Sequence, residues 1–172
     1  MIIVRACAID SPAPIATNPL QLRELPRPEP KANQVLIRVH ACAVCRTDLH
    51  VIEGELAPRK YPVIPGHQAV GVVEAIGRGA SRIKPATRVG VAWLHSTDGV
   101  CEYCRAGQEN LCDHADFTGY TVDGGYADYL LADERFVYAL PDAFSDVQAA
   151  PLLCAGIIGF RALRLSGAKP GG

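Results

Sequence analysis

The chain has 172 residues, 49% of them hydrophobic and 20% charged, which suits one ordinary folded domain and excludes a disordered chain. Its formal net charge of -1 lacks the basic excess that a nucleic-acid or anionic-membrane surface requires. No apolar run reaches membrane-spanning length, and the opening MIIVRACAID lacks the layout of a secretory signal, so a cytoplasmic protein with no membrane partner is expected.

Residues 1–9 read as a first strand, and 10–33 as a proline-rich polar connection with a short strand at 20–25. Residues 34–44 (QVLIRVHACAV) form the clearest strand, with Val35, Ile37, Val39 and Ala41 alternating with Leu36, Arg38, His40 and Cys42. The polar turn CRTDLH then opens a short helix. Further strands are expected at 69–76, 87–94, 126–131 and 135–140. Gly77-x-Gly79 follows a strand, but no third Gly arrives at the dinucleotide-binding offset, so it reads as a loop of a barrel. Ser145 or Asp146 caps a helix, and AAPLLCAGIIGFRALRLSG continues as one or two buried helices that stop at Gly167. Many short strands followed by helix predict a mainly β chain with some helix: a β-barrel-like domain, then a helical link.

Seven cysteines cannot all pair within one chain, and short spacings in a cytosolic setting point to metal or catalysis before disulfides. The most specific pattern is Asp98-x2-Cys101-x2-Cys104-x7-Cys112, a zinc-site spacing. Gly99, Arg105, Ala106 and Gly107 suit a tight lobe with no core of its own. Three reduced surface thiols, or a disulfide with one left over, form the competing reading. Cys45-Arg46-Thr47-Asp48-Leu49-His50 sits at a strand-to-helix exit, Pro65-Gly66-His67-Gln68 precedes a strand, and Cys154 lies in the apolar helical run. Each is weak alone, because buried thiols are common and His after Gly suits a turn. A catalytic zinc needs three protein ligands and an open position, and two Cys with one His is one such set.

Taken together, CAVCRTDLH, YPVIPGHQAVGVVEAIG, VCEYCRAGQENLC, GGYADYLLA and the later Cys resemble the zinc-dependent alcohol dehydrogenases of the medium-chain dehydrogenase/reductase superfamily. The resemblance covers essentially the whole chain, in order. It implies a GroES-like, partly closed β-barrel catalytic domain at 1–150. Residues 151–172 are then a helical link toward a dinucleotide-binding Rossmann domain absent from this chain. It further implies a catalytic zinc on Cys45, His67 and Cys154, with Asp48 receiving the other imidazole N–H of His67. Thr47 would take the alcohol proton, His50 would end the proton relay, and Arg46 would contact the pyrophosphate of NAD or NADP. Trp93 and Leu94 fall where the family lines its substrate pocket. The implied reaction interconverts alcohols with aldehydes or ketones, zinc acting as Lewis acid and hydride passing to NAD(P). A small alcohol or aldehyde is the implied partner, and a homo-oligomer stays open.

The chain departs from the family pattern at three places. Gln68 stands where the family has Glu. Asp98 stands where the structural-zinc lobe has its first Cys, and is expected as fourth ligand beside Cys101, Cys104 and Cys112, with His95 and His114 as nearby alternatives. Three thiolates and a carboxylate carry the formal charge of four thiolates, and zinc accepts carboxylate oxygen. Finally, no strand, glycine turn and helix of a Rossmann unit is present, and Lys169-Pro170-Gly171-Gly172 is where that domain's first strand would be about to start. The chain alone is therefore expected to fold without oxidising alcohols at a useful rate, and 149–166 to expose apolar surface. Competing readings are a polyol or aryl-alcohol dehydrogenase of the same superfamily, or a zinc-stabilised non-catalytic binding module. Cys7 and Cys42 are read as core thiols, and His40 as a satisfied barrel residue. Tyr120, Tyr126 and Tyr129 are read as strand packing, and Arg161 and Arg164 as the polar side of a helix.

Overall fold

The computed structural model describes residues 2–56 and 59–169. Short β-branched runs separated by turns fold into three antiparallel sheets that make a curled half-barrel. The first pairs β1 (Ile3–Ala8) with β2 (Gln21–Pro26). The central sheet contains β3 (Gln34–Cys42), β4 (Ala69–Ile76), β5 (Arg88–Val91), β8 (Tyr129–Asp133) and β9 (Val137–Ala139), in the order β8-β3-β4-β5-β9. The third pairs β6 (Leu94–Ser96) with β7 (Asp116–Phe117). Register shifts at Leu36/Ile37 and Val39/Ala41, where β3 meets β4, mark bulges of the kind that bend a sheet toward closure.

The main core lies inside this sheet and is built by Val35, Ile37, Val73, Val89, Leu130 and Val137 among others. The alternation expected along β3 fails at Leu36, which is 1% exposed, because both faces of the strand are covered there. The strand expected at 87–94 splits: β5 stays in the central sheet, and β6 leaves it to pair with β7. The strand expected at 126–131 begins only at Tyr129. Gly125 and Tyr126 donate their N–H groups to Gly66 and Pro65 carbonyls at 2.7 and 3.0 Å instead of continuing the ladder. The segment expected as a strand at 135–140 opens as a 3-10 turn, Glu134–Phe136, before β9.

The C-terminal run also differs from expectation. Ser145 caps α3 (Asp146–Ala149) in a capping box with Gln148, and a 3-10 turn (Ala150–Leu153) leads to Cys154. Ala149, Ala150 and Leu153 are buried against Val70 and Ala92. Leu153 fills the space left by Gly90, where a Cβ would meet it at 2.7 Å. The next helix (Ala155–Ser166) buries none of its residues, so the expectation of a buried helix fails there, while the exposure of apolar surface expected for 149–166 is found in its helical part. It displays Ile158, Phe160, Leu163 and Leu165. Residues 170–172 lie outside the described residues, and no Rossmann-type strand, glycine turn and helix occurs among the described ones. No single helix among them is long and apolar enough to cross a membrane.

His40 is satisfied, as expected, but through a partner invisible in its own strand. Its Nδ1 lies 2.9 Å from Asp146 Oδ2, while Arg88 Nε donates to Asp146 Oδ1 at 2.7 Å. The Arg88 guanidinium also donates to the Pro141 and Phe144 carbonyls, so it ties the start of α3 to the sheet.

Candidate metal centre

The helix that follows β3 is α1 (Arg46–Glu53), and Cys45 is its N-cap. Asp48, at the third helical position, accepts the Cys45 N–H through Oδ2 at 2.8 Å. Its other oxygen reaches out of the helix to the next segment, accepting from Gly66 N at 3.2 Å and meeting His67 Nδ1 at 3.0 Å. A carboxylate only accepts, so the proton sits on Nδ1 and Nε2 is left for a metal. Burial opposes the imidazolium of His67, and the Asp48 carboxylate together with the neighbouring Cys45 outweighs it, leaving the His67 pKa raised.

Ligand atoms of Cys45, His67 and Cys154 lie within 4.8 Å of one another, with the two sulfurs 3.8 Å apart. Cys154 arrives from the far side, delivered by the 3-10 turn packed on the sheet. Burial and the neighbouring Cys45 push the Cys154 thiol up to about 11. Burial also works against the Cys45 thiolate, but the N–H and hydroxyl of Thr47 and the approach of Cys154 leave its pKa lowered. Two thiols that cannot both ionise side by side, and an imidazole held in one tautomer, fit a divalent cation that would relieve the repulsion. The set is two sulfurs and one nitrogen, the donor type of an open zinc site.

The second cluster is Asp98, Cys101, Cys104 and Cys112, again within 4.8 Å. Asp98 Oδ1 accepts from Val100 N at 2.9 Å and Cys101 N at 3.0 Å, which holds its carboxyl well below the usual range. The Cys104 N–H favours the Cys101 thiolate, yet burial and the neighbouring ligand groups push that thiol up to about 11. The short helix α2 (Glu102–Arg105) supplies the turn between the first two thiols. His95 is buried in β6 and His114 is exposed in the following loop; neither joins the cluster. Arg135, not singled out from sequence, donates to the Thr97 carbonyl at 3.2 Å beside this lobe.

The remaining expected residues are placed unevenly. Thr47 Oγ1 lies 3.7 Å from Cys45 Sγ, at the triad. His50 sits one turn further along α1 and pairs with Glu55; no hydrogen bond among the described residues joins it to Thr47. Arg46 is exposed beside Cys45. Trp93 meets the His67 ring edge-on with centroids 5.1 Å apart, and stacks on Phe117 and Tyr120. Trp93 and Leu94, with Leu153, Cys154, Ile157 and Ile158, line a cavity of about 570 Å³. Gln68 is 3% exposed and donates weakly to the Ala43 carbonyl at 3.4 Å. Tyr126 corrects the strand-packing expectation: its hydroxyl donates to Asp48 Oδ2 at 3.0 Å, from 78 residues away.

Residues 31–142 match the model of the alcohol dehydrogenase GroES-like domain. The chain belongs to that family. An alcohol dehydrogenase of Geobacillus stearothermophilus is 47% identical over 154 residues, covering 89% of this chain and 46% of the relative. A probable alcohol dehydrogenase, AdhA, of Mycobacterium tuberculosis is 46% identical, covering 97% of this chain and 50% of the relative. Among solved structures, a cinnamyl alcohol dehydrogenase of Sorghum bicolor has a TM-score of 0.86 at 32% identity, over 99% of this chain and 50% of that one. A cobalt- and zinc-bound thermostable alcohol dehydrogenase of Pyrobaculum aerophilum has a TM-score of 0.89 at 27% identity, with the same coverage. This GroES-like domain therefore spans about half the length of the curated relatives it matches.

Proposed function

We propose that this chain provides the metal-binding half of an NAD(P)-dependent zinc alcohol dehydrogenase that interconverts small alcohols with aldehydes or ketones. The observation that carries the reading is the convergence of Cys45, His67 and Cys154 beside an apolar cavity, with Asp48 holding His67 from behind. A purely structural metal site has no use for an adjoining apolar cavity or a hydroxyl at its edge.

In this reading Cys45, His67 and Cys154 hold the catalytic zinc, and Asp98, Cys101, Cys104 and Cys112 hold a structural one. Bound there, zinc supplies Lewis acidity to an alcohol oxygen, and NAD(P) supplies the hydride acceptor. The chain's own residues do the rest. Trp93 and Leu94 wall the cavity with apolar surface next to Cys154. The Thr47 hydroxyl, at the triad, is the group placed to take the substrate proton, and the part-exposed His50, one turn along α1 and not bonded to it, is the end of the path nearest solvent. Arg46 presents its guanidinium to the cofactor phosphates.

Zinc per chain, by elemental analysis of the protein and its Cys45→Ser and Cys104→Ser variants, tests the reading. Two zinc, with one lost in each variant, support both sites. One zinc, lost only with Cys104→Ser, leaves the lobe but removes the catalytic centre and points to a zinc-stabilised binding module. No zinc in folded protein overturns the proposal.

A further inference from the structure

We propose that Tyr126 is a positioning residue for the Cys45–His67–Cys154 centre: its phenol holds Asp48, and Asp48 holds His67. The proposal rests on the reading of that triad as a zinc site.

Asp48 is 2% exposed, so each of its acceptor positions must be filled from within the protein. Four donors fill them: His67 and Gly66 on Oδ1, Cys45 and Tyr126 on Oδ2. A carboxylate offers about four such positions, so the group is saturated. Three of the donors belong to the two ligand-bearing segments that Asp48 joins. They move with those segments and cannot fix them from outside. Tyr126 is the one donor from a third segment, and it ties the His67 segment to β1. Its N–H donates to the Pro65 carbonyl at 3.0 Å, and its own carbonyl accepts from Cys7 N in β1 at 2.8 Å.

The ring is seated as firmly as the backbone. Gly66 has φ +97, and a Cβ there would meet the Tyr126 ring at 2.6 Å and Cys42 Sγ at 2.9 Å. The absent side chain lets the ring lie flush against the residue before His67. Burial and the Asp48 charge both push the phenol pKa upward, so it stays a donor at ordinary pH. With the phenol removed, one Asp48 oxygen loses its lateral restraint, and the ring orientation of His67 is set by fewer bonds. The carboxylate behind a metal-bound His typically governs about 10- to 100-fold in metal affinity, and Tyr126 acts through that carboxylate.

The two metal clusters in one chain give an internal control. Metal-free full chain, as wild type, Tyr126→Phe, Asp48→Asn and the double variant, is titrated with Co2+ while sulfur-to-metal absorption is followed. Cys104→Ser identifies which bands belong to the lobe. The imidazole 15N shifts of His67 are recorded alongside. Expected are a weaker affinity at the triad in Tyr126→Phe, by less than the about 10- to 100-fold loss expected of Asp48→Asn, an unchanged lobe, and a shifted His67 Nδ1 resonance. Tyr126→Phe should add nothing further in the Asp48→Asn background, since both act through one path. Unchanged triad affinity in Tyr126→Phe overturns the proposal, as do additive effects in the double variant. Parallel loss of both sites also overturns it, because Tyr126 would then carry the fold and not His67. A wild type that loads only the lobe is a different failure, that of the zinc reading of the triad.

Discussion

His67 and Asp48 are 1% and 2% exposed and meet through one bond, His67 Nδ1 to Asp48 Oδ1 at 3.0 Å. Burial on both sides means that water cannot replace either partner. Asp48→Asn keeps the shape but presents an amide N–H to one of the donors now facing the carboxylate. The expected result is a loss of stability of about 1–3 kcal/mol and of triad zinc, with lobe zinc retained. Urea unfolding and zinc per chain measure the two effects separately.

The lobe makes a prediction about ligand type. Asp98→Ala removes the oxygen donor and should weaken metal binding there, leaving a three-sulfur site completed by water. Asp98→Cys should restore tight binding. X-ray absorption on protein with metal confined to the lobe by Cys45→Ser should count three sulfur neighbours in the parent and four in Asp98→Cys. A count of three in both would remove position 98 from the coordination shell.

Gly66 should tolerate no side chain. An alanine there needs φ +97 and drives its Cβ into the Tyr126 ring and Cys42 Sγ. Backbone strain and overpacking together are expected to cost about 2–4 kcal/mol, read as a lowered urea midpoint of the metal-free protein.

Acid sensitivity should trace partly to Asp146. Its hydrogen bond from Arg88 outweighs slight burial, and the contact with His40 adds to it, so its folded pKa is depressed. A depressed carboxylate contributes stability that is fully present above its unfolded value near pH 3.9. That contribution disappears as pH falls through the lower folded pKa. Asp146→Asn of metal-free protein should therefore cost about 0.5–1 kcal/mol at pH 7, as expected for a solvent-screened pair. The penalty should shrink steadily in unfolding curves taken from pH 4 downward.

The last helix, α4 (Ala155–Ser166), presents Ile158, Phe160, Leu163 and Leu165 at 57–74% exposure. The 172-residue chain should associate as its concentration rises, and Ile158→Glu with Leu163→Glu should suppress this in sedimentation velocity. Alcohol-dependent NAD reduction by the same chain should stay near background, since Arg46 is the one residue assigned to the cofactor. Robust zinc-dependent turnover would show that the chain assembles a complete cofactor cleft by itself.

Local chemistry was readable wherever it was local in sequence. The spacing of Cys101, Cys104 and Cys112 marked the lobe, and Ser145 announced the start of α3. Sequence also suggested that Cys45, His67 and Cys154 share a site, but only through a family likeness, since nothing in their spacing brings them to one point. Tyr126 was misread because a tyrosine beside alternating residues looks like strand packing. Its partner Asp48 lies 78 residues earlier. The 87–94 segment was read as one strand because its apolar residues do not reveal that Ala92 and Trp93 turn out of one sheet into another. The apolar run of α4 points to a buried helix by pattern and to an exposed apolar face by the family likeness; periodicity shows which face wants cover and not whether these residues supply it, and the exposed helix agrees with the second expectation.

Cys154 is the residue between a segment held in the core and a helix held by none of it. Cys45 and His67 are fixed to the barrel through Asp48, so of the three sulfur and nitrogen donors only one stands on a pivot. Cys154 is thus the one donor whose neighbourhood depends on how α4 is held. Whatever packs against α4 therefore bears on one donor of the triad and, through Ile157 and Ile158, on the wall of the adjoining cavity.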